Sequence, residues 1–253
     1  MLAQTRKDKI LEMLKEDGSV KVADLSRIFK VSEVTIRQDL EKLEHEGIVT
    51  REHGGAFLNG IGMQVQNFAL SNLVNMDKKE RIGKKAAEFI DSGDTIILDS
   101  GTTTTEIAKA IVNKRNITVV TNAINIVMLL GSNPAINVIL TGGEFKPPTL
   151  SLTGQKAADF FSGLHVDKLF LATAGISLKS GLTYPSLSDI VVKKAMIEAA
   201  DKVYLVADST KVGKSSLASL GALSLIHYLI TDSEIAEKDK EIFKENEIDF
   251  IIT

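Results

Sequence analysis

Apolar residues recur with two different spacings along the chain. Up to residue 58 they fall three to four positions apart, which is the period of helices that bury one face. Over residues 77–253, short unbroken apolar runs alternate with helical stretches, which indicates a mostly parallel α/β sheet covered on both faces. Residues 59–76 contain Gly and Asn with weak periodicity and are predicted to be a linker, with room for a short docking helix.

The α/β pattern predicts seven strands and six helices. The predicted strands are Thr95–Leu98, Ile117–Val120, Ile136–Leu140, Lys168–Ala172, Val203–Ala207, Tyr228–Ile230 and Phe250–Ile252. The predicted helices are Lys78–Ile90, Thr103–Val112, Ala123–Leu130, Gly154–Ser162, Asp189–Ala199 and Ala236–Glu245.

The helical pattern of residues 1–58 predicts three helices followed by a β-hairpin. The third helix begins after Ser32, a good N-cap residue, and is closed by Gly47. Residues 48–51 and 56–58 form short strands around a Gly-Gly tip. This order predicts a small winged helix-turn-helix, whose third helix would enter the major groove of DNA. The inward stripe of that helix is Ile36, Leu40 and Leu43.

Polar side chains on the outside of the third helix have the chemistry of DNA contacts. Arg37 suits guanine and Gln38 suits adenine at the edges of the bases. The alternative is a three-helix bundle for protein contact, with charges that are merely solvated. Candidate phosphate contacts on the helix and the wing are Ser32, Thr35, Lys42, Arg51 and His53.

Composition narrows the possible classes of protein. The 253 residues include no cysteine, which excludes disulfides and thiolate metal sites, and the four histidines lack metal-ligand spacing. We therefore expect no metal and no cofactor. No apolar run is long enough to cross a bilayer, and the first residues lack an apolar export core, so a cytoplasmic protein without a membrane partner is expected.

Charge alone does not indicate DNA. The net charge is −3, and residues 1–58 carry ten basic and eleven acidic side chains. The DNA hypothesis therefore depends on where the charges lie.

A hydroxyl-rich loop follows the first predicted strand of the larger domain and opens a helix. Helix N-termini present unpaired N–H groups and a partial positive charge, the glycine allows close approach, and the hydroxyls add donors. These features predict a phosphate cradle. It is neither a Walker loop nor a dinucleotide fingerprint, and the alternative is that Ser and Thr only cap the helix. The loop residues are Ser100, Gly101, Thr102, Thr103 and Thr104.

Polar residues also follow other predicted strands. Ligands bind beyond the carboxyl ends of parallel strands, so we expect these residues to line an effector site. Lys211 would supply charge to a phosphate or would point into solvent. Asp208 could instead cap a turn, and Asn122 and Asp189 could each be a helix N-cap. The further candidates for effector binding are Asp99, Asn122, Gly142, Gly143, Asp189, Asp208 and Lys211.

Both regions resemble the DeoR family of bacterial transcriptional regulators. The N-terminal region carries the DNA-binding signature Val31-Ser32-x-x-Thr35-Ile36-Arg37-x-Asp39-Leu40 and the wing Arg51-x-x-Gly54-Gly55-Ala56. Gln38 stands where many members have a second basic residue. The larger domain resembles the family's C-terminal sensor domain at Asp99-Ser100-Gly101-Thr102-Thr103, Thr121-Asn122, Thr141-Gly142-Gly143, Gly181-Leu182-Thr183 and Asp208-Ser209-x-Lys211.

The resemblance implies a fold and a function. The sensor domain of the family is similar to ribose-5-phosphate isomerase, in which the hydroxyl-rich loop holds a sugar phosphate. The family resemblance implies a repressor of a sugar-catabolism operon, released from a double-stranded DNA operator by a phosphorylated sugar. Within the family the chain looks most like the amino-sugar and hexosamine branch. Because one winged helix reads one half-site, a homodimer or homotetramer is expected.

Two alternatives stay open at this point. One is a sugar-phosphate isomerase with an accessory helical domain, which would need a base and acids at the substrate. The chain has Ala174 where many regulators of the family keep an Asp, and Asp189 lies where a Glu-rich stretch is common, so no catalytic residue and no enzyme are expected. The other alternative is a regulator whose sensor has lost its ligand.

Overall fold

The computed structural model describes residues 2–17, 19–52, 54–58 and 74–253. The chain folds as two units. The N-terminal unit comprises Met1–Ser71 and Pro147–Thr149, and the C-terminal unit comprises Asn72–Lys146 and Leu150–Thr253. Most of the predicted linker, residues 59–73, and the wing residue His53 lie outside the described residues.

The N-terminal unit is a winged helix-turn-helix, as predicted. Its helices are α1 (Ala3–Asp17), α2 (Val22–Phe29) and α3 (Glu33–His45). Its strands are β1 (Ser19–Lys21), β2 (Val49–Glu52) and β3 (Gly55–Leu58), paired antiparallel in the order β1-β3-β2. The predicted two-stranded wing was incomplete, because β1 is three residues long and too short to show a period of two in the sequence.

The third helix is bounded and packed as the sequence predicts. The Ser32 hydroxyl accepts from the Thr35 N–H at 3.2 Å, and Gly47 adopts a φ of +71° just beyond the helix. The inward stripe of Ile36, Leu40 and Leu43 is fully buried. It packs into a core shared with α1, α2 and the wing strands.

The C-terminal unit contains six α-helices and twelve strands in its described residues. The helices are α4 (Met76–Ala87), α5 (Thr102–Ile111), α6 (Ile124–Leu130), α7 (Gln155–Asp159), α8 (Leu187–Glu198) and α9 (Glu237–Glu245). The strands are β4 (Thr95–Leu98), β5 (Ile117–Thr121), β6 (Ile136–Leu140), β7 (Glu144–Lys146), β8 (Ser151–Thr153), β9 (Val166–Ala172), β10 (Gly175–Ser177), β11 (Gly181–Tyr184), β12 (Ala200–Val206), β13 (Ala218–Gly221), β14 (Tyr228–Thr231) and β15 (Asp249–Ile252).

The seven predicted strands form one parallel sheet in the order β15-β14-β12-β9-β4-β5-β6. Successive strand residues point to opposite faces. Ile96 and Leu98 of β4 pack with α4, α5 and α6, whereas Ile97 packs with α7, α8 and α9. Helices therefore cover both faces, which explains why the strands read as unbroken apolar runs.

The order of the strands places a topological switch point between β4 and β9. From β4 the chain winds outward through β5 and β6, then returns to β9 on the other side of β4 and continues through β12, β14 and β15. In such sheets a crevice opens beyond the carboxyl ends of the two strands at the switch point.

Short antiparallel elements were not predicted. Strands β10, β11 and β13 form a three-stranded sheet, and β7 pairs with β8 in a hairpin. Each contains only one or two apolar residues among Gly, Ser, Thr or charged ones, so none shows the unbroken apolar run that marks the strands of the large sheet. Among the helices described, none is both long and apolar enough to cross a membrane.

Candidate DNA-binding surface and effector site

The outer face of α3 exposes the side chains that the sequence assigned to bases. Arg37, Gln38 and Lys42 are exposed, while Ile36 and Leu40 of the same helix are buried. The structure therefore brings the two candidate base readers to one solvent-facing surface.

Several candidate base and phosphate contacts engage neighbouring side chains. The Ser32 and Thr35 hydroxyls hydrogen-bond to each other at 2.9 Å, and the Arg37 guanidinium pairs with Glu33 at 2.6 Å. Arg51 of the wing pairs with Glu44 at 2.7 Å. Exposed pairs of this kind contribute only about 0–1 kcal/mol, so a phosphate group can displace them.

The ion pair between Arg51 and Glu44 lowers the pKa of Glu44. The Arg51 backbone N–H and guanidinium both donate to Glu44, and they hold the pKa of that carboxyl below its ordinary value. Arg51 thus links the wing to α3.

A buried ion pair fixes the position of α3. Asp39 on α3 accepts hydrogen bonds from Arg6 on α1 at 2.5 and 3.2 Å, and both side chains are almost fully buried. The Asp39 carboxylate raises the pKa of Arg6, against the cost of burial. Sequence reasoning missed this pair. The available signal was a charged residue at position 39, in phase with the apolar stripe.

The carboxyl ends of five adjacent strands gather most of the predicted effector residues at one edge of the sheet. Asp208 and Lys211 follow β12, Asp99 and the hydroxyl-rich loop follow β4, and Asn122 follows β5. Gly142 and Gly143 follow β6, and the end of β9 lies between β12 and β4. We call this edge the rim.

The hydroxyl-rich loop does not cap α5 with its side chains. Gly101 is the N-cap residue, and the Thr104 and Thr105 hydroxyls donate to its carbonyl at 3.0 and 2.7 Å. The helix-cap interpretation is therefore wrong. The first-turn N–H groups of α5, which normally need an acceptor, face the rim without a side-chain cap from the described residues.

Glycine is required at position 101 because the loop packs closely on the switch point. A Cβ atom there would lie 2.8 Å from the Cβ of Ala172 at the end of β9. Its backbone is extended, so the requirement is close approach and not a left-handed conformation.

Asp99 lies beneath the loop and holds it. Its carboxylate, fully buried, accepts from the Ser100 N–H at 2.8 Å, from the Ala172 N–H at 3.0 Å and from Lys193 Nζ of α8. Burial raises the pKa of Asp99, and the Lys193 cation opposes that rise. The structure places Asp99 as a support of the loop.

Lys193 was missed by the sequence reasoning. Its ammonium also lies 4.7 Å from the centre of the Tyr184 ring, and the Tyr184 hydroxyl donates to the Ala172 carbonyl at 2.6 Å. In the sequence it reads as an ordinary helix lysine, and only the packing of α8 reveals that its side chain is buried.

Three rim residues bury polar atoms that have no hydrogen-bond partner among the described residues. They are Oδ1 of Asn122, Oγ1 of Thr141 and Oδ2 of Asp208. Leaving such an atom unpaired costs about 1–3 kcal/mol, so each is expected to meet a water or a ligand.

The other atoms of these residues settle two alternatives. Asn122 Nδ2 donates to the Leu152 carbonyl at 3.0 Å, and the N-cap of α6 is Ala123, so Asn122 is not the cap. Asp208 does cap a turn, because its Oδ1 accepts from the Thr210 N–H at 3.1 Å.

Two lysines lie at the Asp208 end of the rim. Burial and the nearby Lys211 cation lower the pKa of Lys79 to about 8, against the pull of Asp208 and Glu106. Lys79 on α4 was not a sequence candidate, because its helix reads as a polar surface stretch. In the structure Lys79 is only 5% exposed.

Asp189 and the two glycines Gly142 and Gly143 are the remaining effector candidates. Asp189 is in the first turn of α8, whose N-cap is Ser186, and it pairs with Lys146 at 2.8 Å. The N-cap interpretation of Asp189 is therefore wrong. A Cβ atom added at Gly142 would meet no atom of the described residues within 4 Å. Gly143 has a φ of +130°, a conformation that favours glycine. The described ranges contain no cluster of His, Asp and Glu able to hold a metal.

Comparison with family models matches both units. Residues 6–61 match the DeoR-like helix-turn-helix domain, and residues 74–233 match the DeoR C-terminal sensor domain.

Whole-chain relatives are similar over nearly their full length. YulB, an HTH-type transcriptional regulator of Bacillus subtilis, is 37% identical over 92% of this chain and 90% of its own. The glycerol-3-phosphate regulon repressor of Escherichia coli K12 is 32% identical over 90% of each chain. Among solved structures, ribose 5-phosphate isomerase from Methanocaldococcus jannaschii is similar at a TM-score of 0.41, with 15% identity over 55% of each chain.

The family-model matches and the whole-chain relatives agree with the geometry of both units. The relatives with high coverage are transcriptional regulators, and the two matched models are a DNA-binding domain and a sensor domain, so the chain is a regulator and not an isomerase. The chain belongs to the DeoR family of helix-turn-helix transcriptional regulators.

Proposed function

We propose that this regulator represses a sugar-catabolism operon and leaves its operator when a phosphorylated sugar binds at the rim. One observation carries the proposal. The N-terminus of α5, which has no side-chain cap from the described residues, lies with Lys79 and Lys211 at the edge of the sheet that contains the topological switch point. The naming of one relative as a glycerol-3-phosphate regulon repressor and another, GlcR of Bacillus subtilis, as a repressor supports it.

The phosphate is assigned to the first turn of α5. Helices α4 and α5 both start at the rim. They pack closely, because a Cβ atom at Gly83 of α4 would lie 2.7 Å from the carbonyl carbon of Glu106 on α5. Lys79 lies one turn before Gly83, and Thr102 lies one turn before Glu106, so Lys79 is level with the start of α5. Lys79 and Lys211 would then add charge to the backbone N–H groups.

The sugar hydroxyls are assigned to the other side of the loop. Asn122 and Thr141 follow neighbouring strands in register, and the Thr141 N–H donates to the Thr121 carbonyl at 3.0 Å. Their Oδ1 and Oγ1 atoms, which meet no partner within the described ranges, suit the hydroxyls of a polyol.

The coupling to DNA is assigned to the start of α4. Asn75 Nδ2 donates to Asp208 Oδ1 at 3.3 Å and to Thr210 Oγ1 at 3.4 Å. Lys78 Nζ donates to Ser209 Oγ at 3.2 Å and pairs with Glu234 at 2.8 Å. Residues 59–73 precede this turn in the sequence, so a ligand that moves the Asp208 loop changes the start of the segment leading to the N-terminal unit.

Control of DNA by this route requires two subunit arrangements with different ligand affinity. We assign the protein to a homodimer or homotetramer, because a single winged helix reads only one half-site. A cytoplasmic location follows from a DNA operator as partner.

Thermal unfolding against sugar phosphates tests the site. Each phosphate is paired with its unphosphorylated sugar, and a ligand at about 100 times its dissociation constant should stabilise by roughly 2.7 kcal/mol. A shift with one phosphate, absent with its bare sugar, is expected. Thr103→Glu should remove the shift by charge repulsion, whereas the isosteric Thr103→Val should keep most of it. An unchanged shift in Thr103→Glu would contradict the assignment of the loop.

A further inference from the structure

Val34 is an apolar side chain on the polar face of α3. It is 61% exposed, whereas Ile36 and Leu40 of the same helix are fully buried. It lies out of phase with the inward stripe and three and four positions before Arg37 and Gln38, so it shares their face.

The polar neighbours of Val34 in the first turn of α3 bond to one another. Ser32 and Thr35 share a hydrogen bond, and Glu33 holds the Arg37 guanidinium across one turn of the helix. Val34 has no polar group with which to join them. Its methyl groups form an apolar surface at the start of the helix, between candidate base and phosphate contacts.

In the major groove the apolar group on a base edge is the C5 methyl of thymine. The N-terminal half of a recognition helix is the part that meets base edges. We propose that Val34 is a specificity-determining residue that packs on a thymine methyl in each operator half-site. This selectivity rests on the DNA-binding activity of the family and not on the proposed effector.

The test isolates the methyl group itself. Full-length protein first selects an operator from a random duplex library, and each thymine is then replaced in turn by deoxyuridine, which lacks only that methyl. One thymine per half-site should prove sensitive, with binding weakened about fourfold, the value of one buried methyl group. In Val34→Ala the same replacement should change binding less than twofold.

A second substitution moves the methyl to another base. Replacing the sensitive thymine by cytosine should weaken binding, and 5-methylcytosine at that position should recover about fourfold in the wild type but not in Val34→Ala. Val34→Thr, which keeps one methyl, should give an intermediate response. Val74→Ala is the matched control, because Val74 is 62% exposed in the C-terminal unit. It should retain the full wild-type response.

Two results would overturn the proposal. One is a wild-type protein that tolerates deoxyuridine at every thymine of its selected operator. The other is a Val34→Ala variant, folded by circular dichroism, that keeps the fourfold penalty, since another side chain would then read the methyl.

Discussion

The polar side chains of α3 and of the rim have opposite environments. On α3, Arg37 is 55% exposed and paired with an acid that is also exposed, so its charge stays close to water. At the rim, Asn122, Thr141 and Asp208 are at most 3% exposed, and each has one polar atom without a hydrogen-bond partner in the described part of the chain. A surface that reads DNA can keep its groups solvated until contact, whereas a small-ligand site is built around bonds that the ligand completes.

The supports of these two surfaces are nevertheless alike. A buried Arg6–Asp39 pair fixes α3 from its inner side, and a buried Asp99–Lys193 pair fixes the loop before α5. The difference lies in distance from the ligand. The Asp39 pair is on the far side of its helix, whereas Asp99 bonds directly to the backbone of the loop assigned to phosphate.

The largest effect should come from removing one partner of the pair beneath the loop. Lys193→Met would leave the Asp99 carboxylate buried without its cation, and the free energy of unfolding should fall by about 3–5 kcal/mol in urea titrations. The double variant Asp99→Asn with Lys193→Met should recover most of the loss. A loss below about 1 kcal/mol for Lys193→Met would mean that the pair does not support the loop.

Removing a base reader from α3 should act on specificity alone. Arg37→Ala should lower the preference for operator over random duplex by about 1–3 kcal/mol in competition binding, because a bidentate base contact is lost. Ligand-induced thermal shifts should stay as in the wild type. As the control, Glu33→Gln keeps Arg37 and should keep the preference. An Arg37→Ala variant that discriminates as the wild type does would break the assignment.

The buried lysine of the rim should make effector binding depend on pH, unlike the exposed DNA surface. With a pKa of about 8, Lys79 is protonated at pH 7 and largely neutral at pH 9. The affinity for a sugar phosphate should therefore fall by about tenfold between these values, measured by calorimetry. Lys79→Met should bind more weakly at pH 7 and lose that dependence. An equal fall in wild type and Lys79→Met would exclude Lys79 as the cause.

The smallest effect is expected at the contact assigned to coupling. Asn75→Ala should leave the affinity for the effector within twofold of the wild type. It should reduce the effect of that ligand on operator affinity by about 1 kcal/mol, roughly fivefold. Lys85→Ala is the control, because Lys85 is a half-buried residue of the same helix that pairs with Glu88 at 2.6 Å. If the effector changed the operator affinity of Asn75→Ala as much as that of the wild type, the contact between Asn75 and the Asp208 loop would not carry the coupling.

The sequence predicted the large sheet and the winged helix because both depend on patterns within a few residues. All seven strands of the parallel sheet and the Ser32 cap could be identified in this way. The two buried ion pairs could not be predicted in this way, because Arg6 and Asp39 lie 33 positions apart and Asp99 and Lys193 lie 94 apart. Lys79 and Lys193 read as ordinary helix lysines until the packing of α4 and α8 buried them.

Operator release by an effector bound at the rim can be tested directly by comparing the wild type with Thr103→Glu. Fluorescence anisotropy of a labelled operator would be followed during titration with sugar phosphates and with their unphosphorylated sugars. One phosphate is expected to release the wild-type protein, its bare sugar is not, and Thr103→Glu is expected to stay bound throughout. Release of Thr103→Glu at the same phosphate concentration as the wild type would contradict this expectation.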